Sequence, residues 1–131
     1  MQVPQISVFV ENRPGRLAHL LRTLADAGTN IHALSVADSS DFGIVRLIVD
    51  DPEGAMKAIH AQGLTGRITS VLRVEVPDKP GALENFVVEP LAEAGVNLEY
   101  MYAYGGRLSD TAIIVLKVDD MAKAESALAK E

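Results

Sequence analysis

The sequence predicts an α+β protein built from two consecutive βαββαβ units, of which the second lacks its last strand. The chain has 131 residues, 48% of them hydrophobic and 23% charged, which is the composition of a globular protein that can build a core. A long block of sequence occurs twice, and in each copy the apolar residues change from strand spacing to helical spacing and back. These observations define both the fold class and the number of units.

The duplication is visible in two pairs of segments. The first pair consists of PGRLAHLLRTLADAGTNI from Pro14 and PGALENFVVEPLAEAGVNL from Pro80. The second pair consists of IVRLIVDD from Ile44 and IIVLKVDD from Ile113. The separation grows from 66 residues in the first pair to 69 in the second, so the second copy has extra residues in its helix and in a later loop. We expect one unit over residues 1–69 and another over residues 70–131.

The first strand and the first helix of each unit are joined by a repeated turn. Gln5–Val10 alternates apolar and polar residues, which predicts a strand. After Pro14 and Gly15, leucines recur at helical spacing until Gly28, a residue typical of a helix end. The first unit therefore begins with a strand, a tight turn and an amphipathic helix.

Two more strands and a second helix follow in the first unit. Asn30–Asp38 and Gly43–Val49 are predicted strands, with Asp38–Asp41 as their hairpin loop. Asp51 is a good N-cap, and Pro52 suits the first position of the helix that follows. One further strand completes the ferredoxin-like plan, an antiparallel sheet with its helices on one face.

The segment between the two units holds only one strand-forming run. Arg67–Val76 contains neither glycine nor proline, yet it must supply the last strand of the first unit and the first strand of the second. Ten residues span about 33 Å in a strand, which is long enough for both. We predict one continuous strand through both units, and a tight turn between Ile68 and Val74 would contradict this prediction.

The first helix of the second unit departs from its counterpart. Pro90 falls inside it, where proline removes a main-chain donor and clashes with the carbonyl of Phe86. The extra residue of the second copy lies in the same stretch. We predict a kink or a bulge there.

The repeated turn has two interpretations. If the helix begins after Pro14, the N–H groups of Gly15, Arg16 and Leu17 are free at the positive end of the helix dipole, which favours a carboxylate or phosphate ligand. Alternatively, Pro-Gly only reverses the chain. The sequence leaves these two interpretations about equal.

The ordered motifs resemble the ACT domain, a small-molecule sensing module of enzymes of amino-acid metabolism. RPGRL, DAGTNI and VDD carry the resemblance in the first unit, and KPGAL, EAGVNL and VDD carry it in the second. The chain looks similar to the stand-alone tandem ACT proteins of bacteria, which have no catalytic domain. The resemblance implies a regulatory protein that binds an amino acid at an interface between ACT units. An alternative is a regulatory subunit that docks onto a metabolic enzyme without binding an amino acid.

The resemblance also implies the ligand-binding positions. In the first unit these are Asn12, Pro14, Gly15, Arg16, Leu17 and Asn30, and in the second they are Asp78, Pro80, Gly81, Ala82, Leu83 and Asn97. The first residue of the loop between strand and helix differs between the copies. It is Asn12 in the first unit and Asp78 in the second. An aspartate repels a carboxylate and attracts an ammonium group, so we expect one functional and one degenerate site.

Other functions are disfavoured by composition. The net charge is −6 and the basic residues are scattered, which argues against nucleic-acid and membrane partners. The chain has no cysteine, and its three histidines show no ligand-like spacing, so we expect no metal, no cofactor and no catalysis. The N-terminal sequence has no signal-peptide pattern, and we expect a cytoplasmic protein.

The spacing of the three tyrosines bears on the oligomeric state of the protein. Tyr100, Tyr102 and Tyr104 alternate along one predicted strand and so share its helix-free face. Cover by another subunit and an exposed ladder that stabilises cross-strand pairs explain this pattern equally well. Together with the missing last strand, the tyrosines lead us to expect a homodimer.

Overall fold

The structure is a computed structural model and describes residues 1–38, 42–104 and 110–129. The elements in chain order are β1 (Gln2–Glu11), α1 (Arg16–Asp26), β2 (Ile31–Asp38), β3 (Phe42–Val49), α2 (Pro52–Ala61), β4 (Thr65–Pro77), a π-helical turn (Glu84–Val88), α3 (Glu89–Glu93), β5 (Leu98–Ala103), β6 (Thr111–Val118) and α4 (Met121–Ala129). Residues 39–41 of the predicted hairpin loop lie outside the described residues. The predicted α+β fold class with two ferredoxin-like units is confirmed.

The chain forms two compact units, one of residues 4–70 and one of residues 1–3 with 71–131. We call them the first and the second unit. In the first unit the strand order is β2-β3-β1-β4. β3 pairs antiparallel with both β1 and β2. The core lies between this sheet and the two helices α1 and α2, and its fully buried members include Ile6, Val8, Leu20, Leu24, Leu47 and Ile59.

The second unit has the strand order β4-β6-β5, with antiparallel pairs. Its core includes Leu72, Val87, Leu91, Leu116, Val118 and Ala124. α4 is the last described element of this unit. The N-terminal residues 1–3 belong to this unit, and the N–H of Arg73 donates to the carbonyl of Met1 at 2.7 Å. The side chain of Gln2 also donates to Glu125 of α4 at 2.6 Å.

The continuous strand between the units is confirmed. β4 is a single strand of 13 residues, and no turn interrupts it between Ile68 and Val74. Its last residues pair with β6, from Leu72 opposite Leu116 to Pro77 opposite Thr111.

The predicted bulge in the second unit is a π-helical turn. Glu84–Val88 is π-helical, and the N–H of Glu89 donates to the carbonyl of Glu84, five residues earlier. A π-turn accommodates one more residue than an α-helix over the same path, which accounts for the extra residue of the second copy. Pro90 lies two residues after the end of this turn and has no N–H to complete an α-helical bond.

Aspartate side chains begin the second helix of each unit. The Oδ1 of Asp51 accepts from the N–H of Gly54 at 3.1 Å, as the sequence predicts for an N-cap. In the second unit Oδ1 of Asp120 accepts from the N–H of Lys123 at 3.0 Å. The second Asp of each VDD motif is therefore a helix cap.

Candidate functional site

The turn between β1 and α1 is held by its own main chain. The N–H of Arg13 donates to the carbonyl of Glu11 at 2.8 Å, and the N–H of Arg16 donates to the carbonyl of Arg13 at 3.2 Å. Gly15 has φ 87°, in the left-handed region that glycine adopts without strain. The first helical bond runs from the N–H of His19 to the carbonyl of Gly15, at 3.0 Å.

The corresponding turn of the second unit has the same geometry. The N–H of Lys79 donates to the carbonyl of Pro77 at 3.0 Å, and the N–H of Ala82 donates to the carbonyl of Lys79 at 3.2 Å. Gly81 has φ 81°. The N–H of Asn85 donates to the carbonyl of Gly81 at 3.0 Å. The backbone of the turn is therefore duplicated together with its sequence.

These bonds correct one expectation about the turn. The sequence predicts free N–H groups on Gly15, Arg16 and Leu17, but the N–H of Arg16 is used inside the turn. The glycine itself is open, because a Cβ added to Gly15 would meet no atom within 4 Å, and the same holds for Gly81. A ligand can therefore approach the backbone at both glycines.

The charges of the first turn favour an anion. Arg13 and Arg16 lie 3.3 and 3.7 Å from the carboxylate of Glu11, and all three side chains are exposed. Exposed ion pairs of this kind are weak, so the guanidinium groups stay available to a ligand. No acidic residue lies in the first turn of α1. Two cations therefore face one carboxylate at the positive end of the helix dipole.

The charges of the second turn are the opposite. Asp78 occupies the position of Asn12, and Glu84 lies at the start of the π-helical turn. Lys79 is the cation of this turn, and Ala82 replaces Arg16. Two carboxylates and one ammonium group disfavour an anionic ligand at this position.

Three of the predicted site residues contribute side chains to the cores instead. Ala82 is 3% exposed, within the core of the second unit. Leu17 and Leu83 are half-buried and pack against the cores of the first and the second unit. These side chains anchor the helix behind the turn and leave only their main chain for a ligand.

The two predicted asparagines use their main chain to fix the strand entrances. The N–H of Asn30 donates to Oδ1 of Asp50 at 3.0 Å, and the N–H of Asp50 donates to the carbonyl of Asn30 at 3.1 Å. Asn97 and Asp119 make the same two bonds at 3.0 and 3.1 Å. The first Asp of each VDD motif therefore ties the start of β2 or β5 to the end of its neighbouring strand.

The structure does not bring Asn30 to the turn of its own unit. Glu11 lies opposite Phe42 at one end of β3, whereas Ile31 lies opposite Val49 at the other. Seven residue steps along β3 are about 24 Å. Asn97 is likewise at the far end of β6 from Asp78, because Pro77 pairs with Thr111 and Leu98 with Val118. Within a unit, the candidate residues thus fall into a turn group and a strand-entrance group.

Comparison with known proteins identifies the family of the chain. The family model of the ACT domain pair matches residues 1–131. The chain belongs to this family. Protein BT0572 from Bacteroides thetaiotaomicron is 36% identical, with 99% of this chain and 88% of that chain covered and a TM-score of 0.91. No match was found among curated proteins.

Two further solved structures are similar in fold. They are the regulatory subunits of aspartate kinase from Thermus thermophilus, in a ligand-free form, and from Thermus flavus. Each is 18% identical, with a TM-score of 0.68 and 98% of this chain covered, and the match covers 91% and 92% of those chains. Membership of the ACT family implies a regulatory, ligand-binding role. In the described residues, no helix is long and apolar enough to cross a membrane.

Each ACT unit also has a groove that the sequence did not predict. In the first, a groove of about 350 Å³ runs between α1 and α2, lined by polar residues such as His19, Arg22 and Gln62. In the second, an apolar groove of about 470 Å³ follows β4. Its lining includes the apolar residues Val74, Val76, Phe86, Val87 and Leu128, together with the charged residues Arg73 and Glu75.

Proposed function

We propose that this ACT pair is a non-catalytic regulatory protein whose ligand is an amino acid, and that the turn of the first unit binds the ligand's carboxylate. The observation that carries the proposal is the contrast between two turns of equal geometry and opposite charge. Gly15 offers an open backbone beside Arg13 and Arg16, whereas Gly81 lies beside Asp78 and Glu84. One turn of each chain therefore favours a carboxylate and the other repels it.

We further propose that a second copy of the chain completes the site. β2 is an edge strand of the first unit, and its side chains Leu34 and Val36 are 39% and 54% exposed. Unprotected apolar edges favour pairing with another chain. If β2 pairs antiparallel with β2 of a second copy, the strand start of one copy lies beside the strand end of the other. Asn30 of the second copy then approaches the turn that Asn30 of the same chain does not reach.

A ligand site shared by two copies explains how ligand binding could regulate the assembly of the protein. A ligand shifts an equilibrium only if it binds one arrangement better than another. A ligand held by two copies favours the assembled state over the separated one. The name of the Thermus proteins, regulatory subunits of aspartate kinase, makes an enzyme of amino-acid metabolism a reasonable target for the signal.

A thermal-shift screen against the twenty amino acids at millimolar concentration tests the proposal. A ligand at a hundredfold excess over its Kd stabilises the folded state by about 2.7 kcal/mol. We expect one amino acid or a small related group to raise the Tm. Gly15→Asp should abolish that response, because it adds a carboxylate to the first turn.

Gly81→Asp is the matched control, since both glycines have nearly the same φ and the same free space. It should lower the Tm as much as Gly15→Asp does but leave the ligand response intact. Loss of the response in Gly81→Asp alone would assign the ligand to the other turn. If no amino acid raises the Tm and the protein instead co-purifies with a metabolic enzyme, the docking alternative is correct.

A further inference from the structure

The two arginines of the first turn share one carboxylate. Nη1 of Arg13 lies 3.3 Å from Oε2 of Glu11, and Nη2 of Arg16 lies 3.7 Å from Oε1 of the same side chain. Each guanidinium group therefore faces a different oxygen of Glu11. Because one carboxylate neutralises only one of the two cations, this cluster of three side chains keeps one positive charge in excess.

No other side chain of residues 11–19 neutralises this excess. The loop residue between the strand and Arg13 is Asn12, and the first turn of α1 contains no acidic residue. His19, one turn further along α1, can add only positive charge. The positive end of the helix dipole lies at the same place. The first turn is therefore a cationic site that this segment of the chain leaves partly uncompensated.

The net charge of a ligand decides how much of the excess it neutralises. At neutral pH an amino acid with an uncharged side chain carries one carboxylate and one ammonium group, so its binding leaves the total charge of the turn unchanged. An acidic amino acid carries a second ionised carboxylate, and its one negative charge in excess matches the turn. Its two carboxylates can also pair with two guanidinium groups, one each, through charge-assisted hydrogen bonds.

We propose that the ligand of the first turn is an acidic amino acid, aspartate or glutamate. Its α-carboxylate lies at the open backbone of Gly15 beside Arg16, and it displaces Glu11 from that arginine. Its side-chain carboxylate pairs with Arg13, the more exposed of the two arginines, at 66% against 48%. This inference rests on the function proposed above, because it names the class of ligand for the same turn.

Two pairs of amino acids isolate the charge of the ligand's side chain. Aspartate and asparagine have nearly the same shape and differ by one charge, as do glutamate and glutamine. We expect titration calorimetry of the wild type to give a Kd at least about threefold lower for one acid than for its amide, which is within the range of an exposed ion pair. The preference should decrease as the salt concentration rises.

Variants of the protein provide the matched controls. Arg13→Gln should weaken binding of the acid and leave binding of its amide unchanged, so that the ratio of their Kd values falls to nearly one. Lys79 corresponds to Arg13 in the second turn, and Lys79→Gln should keep the preference of the wild type. Both side chains are exposed, so neither substitution disturbs a core, and thermal unfolding without ligand checks this.

The possible results separate this inference from the function on which it rests. Tighter binding of a neutral or basic amino acid than of both acids would overturn the inference and leave the proposed regulatory role intact. No response to any amino acid would overturn both. An equal loss of preference in Arg13→Gln and Lys79→Gln would also overturn the inference, because selection would then depend on the overall charge of the protein.

Discussion

The N–H of Asn30 donates to the carboxylate of Asp50 at 3.0 Å, and Asn97 and Asp119 repeat this bond at the same distance in the second unit. In both units the aspartate in turn donates its own N–H to the carbonyl of the asparagine. The two bonds fix the residue that precedes an edge strand to the residue that follows the neighbouring strand. The VDD motif is therefore repeated for structural reasons, independently of any ligand.

Removal of the Asp50 carboxylate should destabilise the fold without affecting the turn between β1 and α1. We expect Asp50→Ala to lower the free energy of unfolding by about 1 kcal/mol, because the N–H of Asn30 loses an acceptor that water replaces only in part. Asp50→Asn keeps an oxygen acceptor and should retain most of the stability. Urea unfolding measures both changes. An Asp50→Ala variant as stable as the wild type would show that the bond is unimportant in solution.

The two turn glycines should respond equally to a neutral substitution. Gly15→Ala and Gly81→Ala each place a side chain at positive φ, which costs about 1–2 kcal/mol, and neither introduces a contact within 4 Å. Gly15→Asn should be milder, since asparagine tolerates the left-handed region better. Thermal unfolding of the three variants tests this. A much larger loss at Gly15 than at Gly81 would mean that the first turn is held by more than its backbone conformation.

Local features of the fold were predictable from the sequence because their causes are local. The cap at Asp51 follows from residue type, and the bulge before Pro90 follows from an extra residue next to a proline. The long strand follows from the absence of any turn residue between Arg67 and Val76. Each of these needs only the neighbouring sequence, and each is confirmed.

Features that depend on tertiary register were not predictable. The sequence assigned Asn30 and the turn to a site at an interface between ACT units, and only the pairing of β3 shows that within one unit the two lie at opposite ends of the sheet. The prediction of a free N–H on Arg16 was wrong. The sequence does not show that this N–H donates to the carbonyl of Arg13 and closes the turn. The groove beside β4 was missed because it depends on how far residues 1–3 cover that strand.

Charge on the β2 edge should prevent the proposed dimer. We expect Val36→Lys to convert a dimer into a monomer, because the symmetry places two ammonium groups in an interface that has apolar side chains in the wild type. Val88→Lys is a suitable control, since Val88 is also exposed, at 38%, but lies on the π-helical turn. Sedimentation velocity of both variants distinguishes the two states. A monomeric wild type, or a dimer that survives Val36→Lys, would place the interface elsewhere or remove it.

The carboxylate of Glu11 should compete with a carboxylate ligand. Glu11 lies within 3.7 Å of Arg13 and Arg16, so it neutralises part of the charge that favours an anion at the first turn. Glu11→Gln should therefore tighten binding of the amino acid found in the screen about two- to fivefold, which corresponds to roughly 0.4–1 kcal/mol. Arg13→Gln should weaken binding by a similar factor. Both effects should shrink as the salt concentration rises, because the groups are exposed.

Glu84→Gln makes the same charge change at the second turn and should leave affinity unchanged, as titration calorimetry can measure. Equal tightening by Glu11→Gln and Glu84→Gln would mean that overall charge, and not the first turn, governs binding.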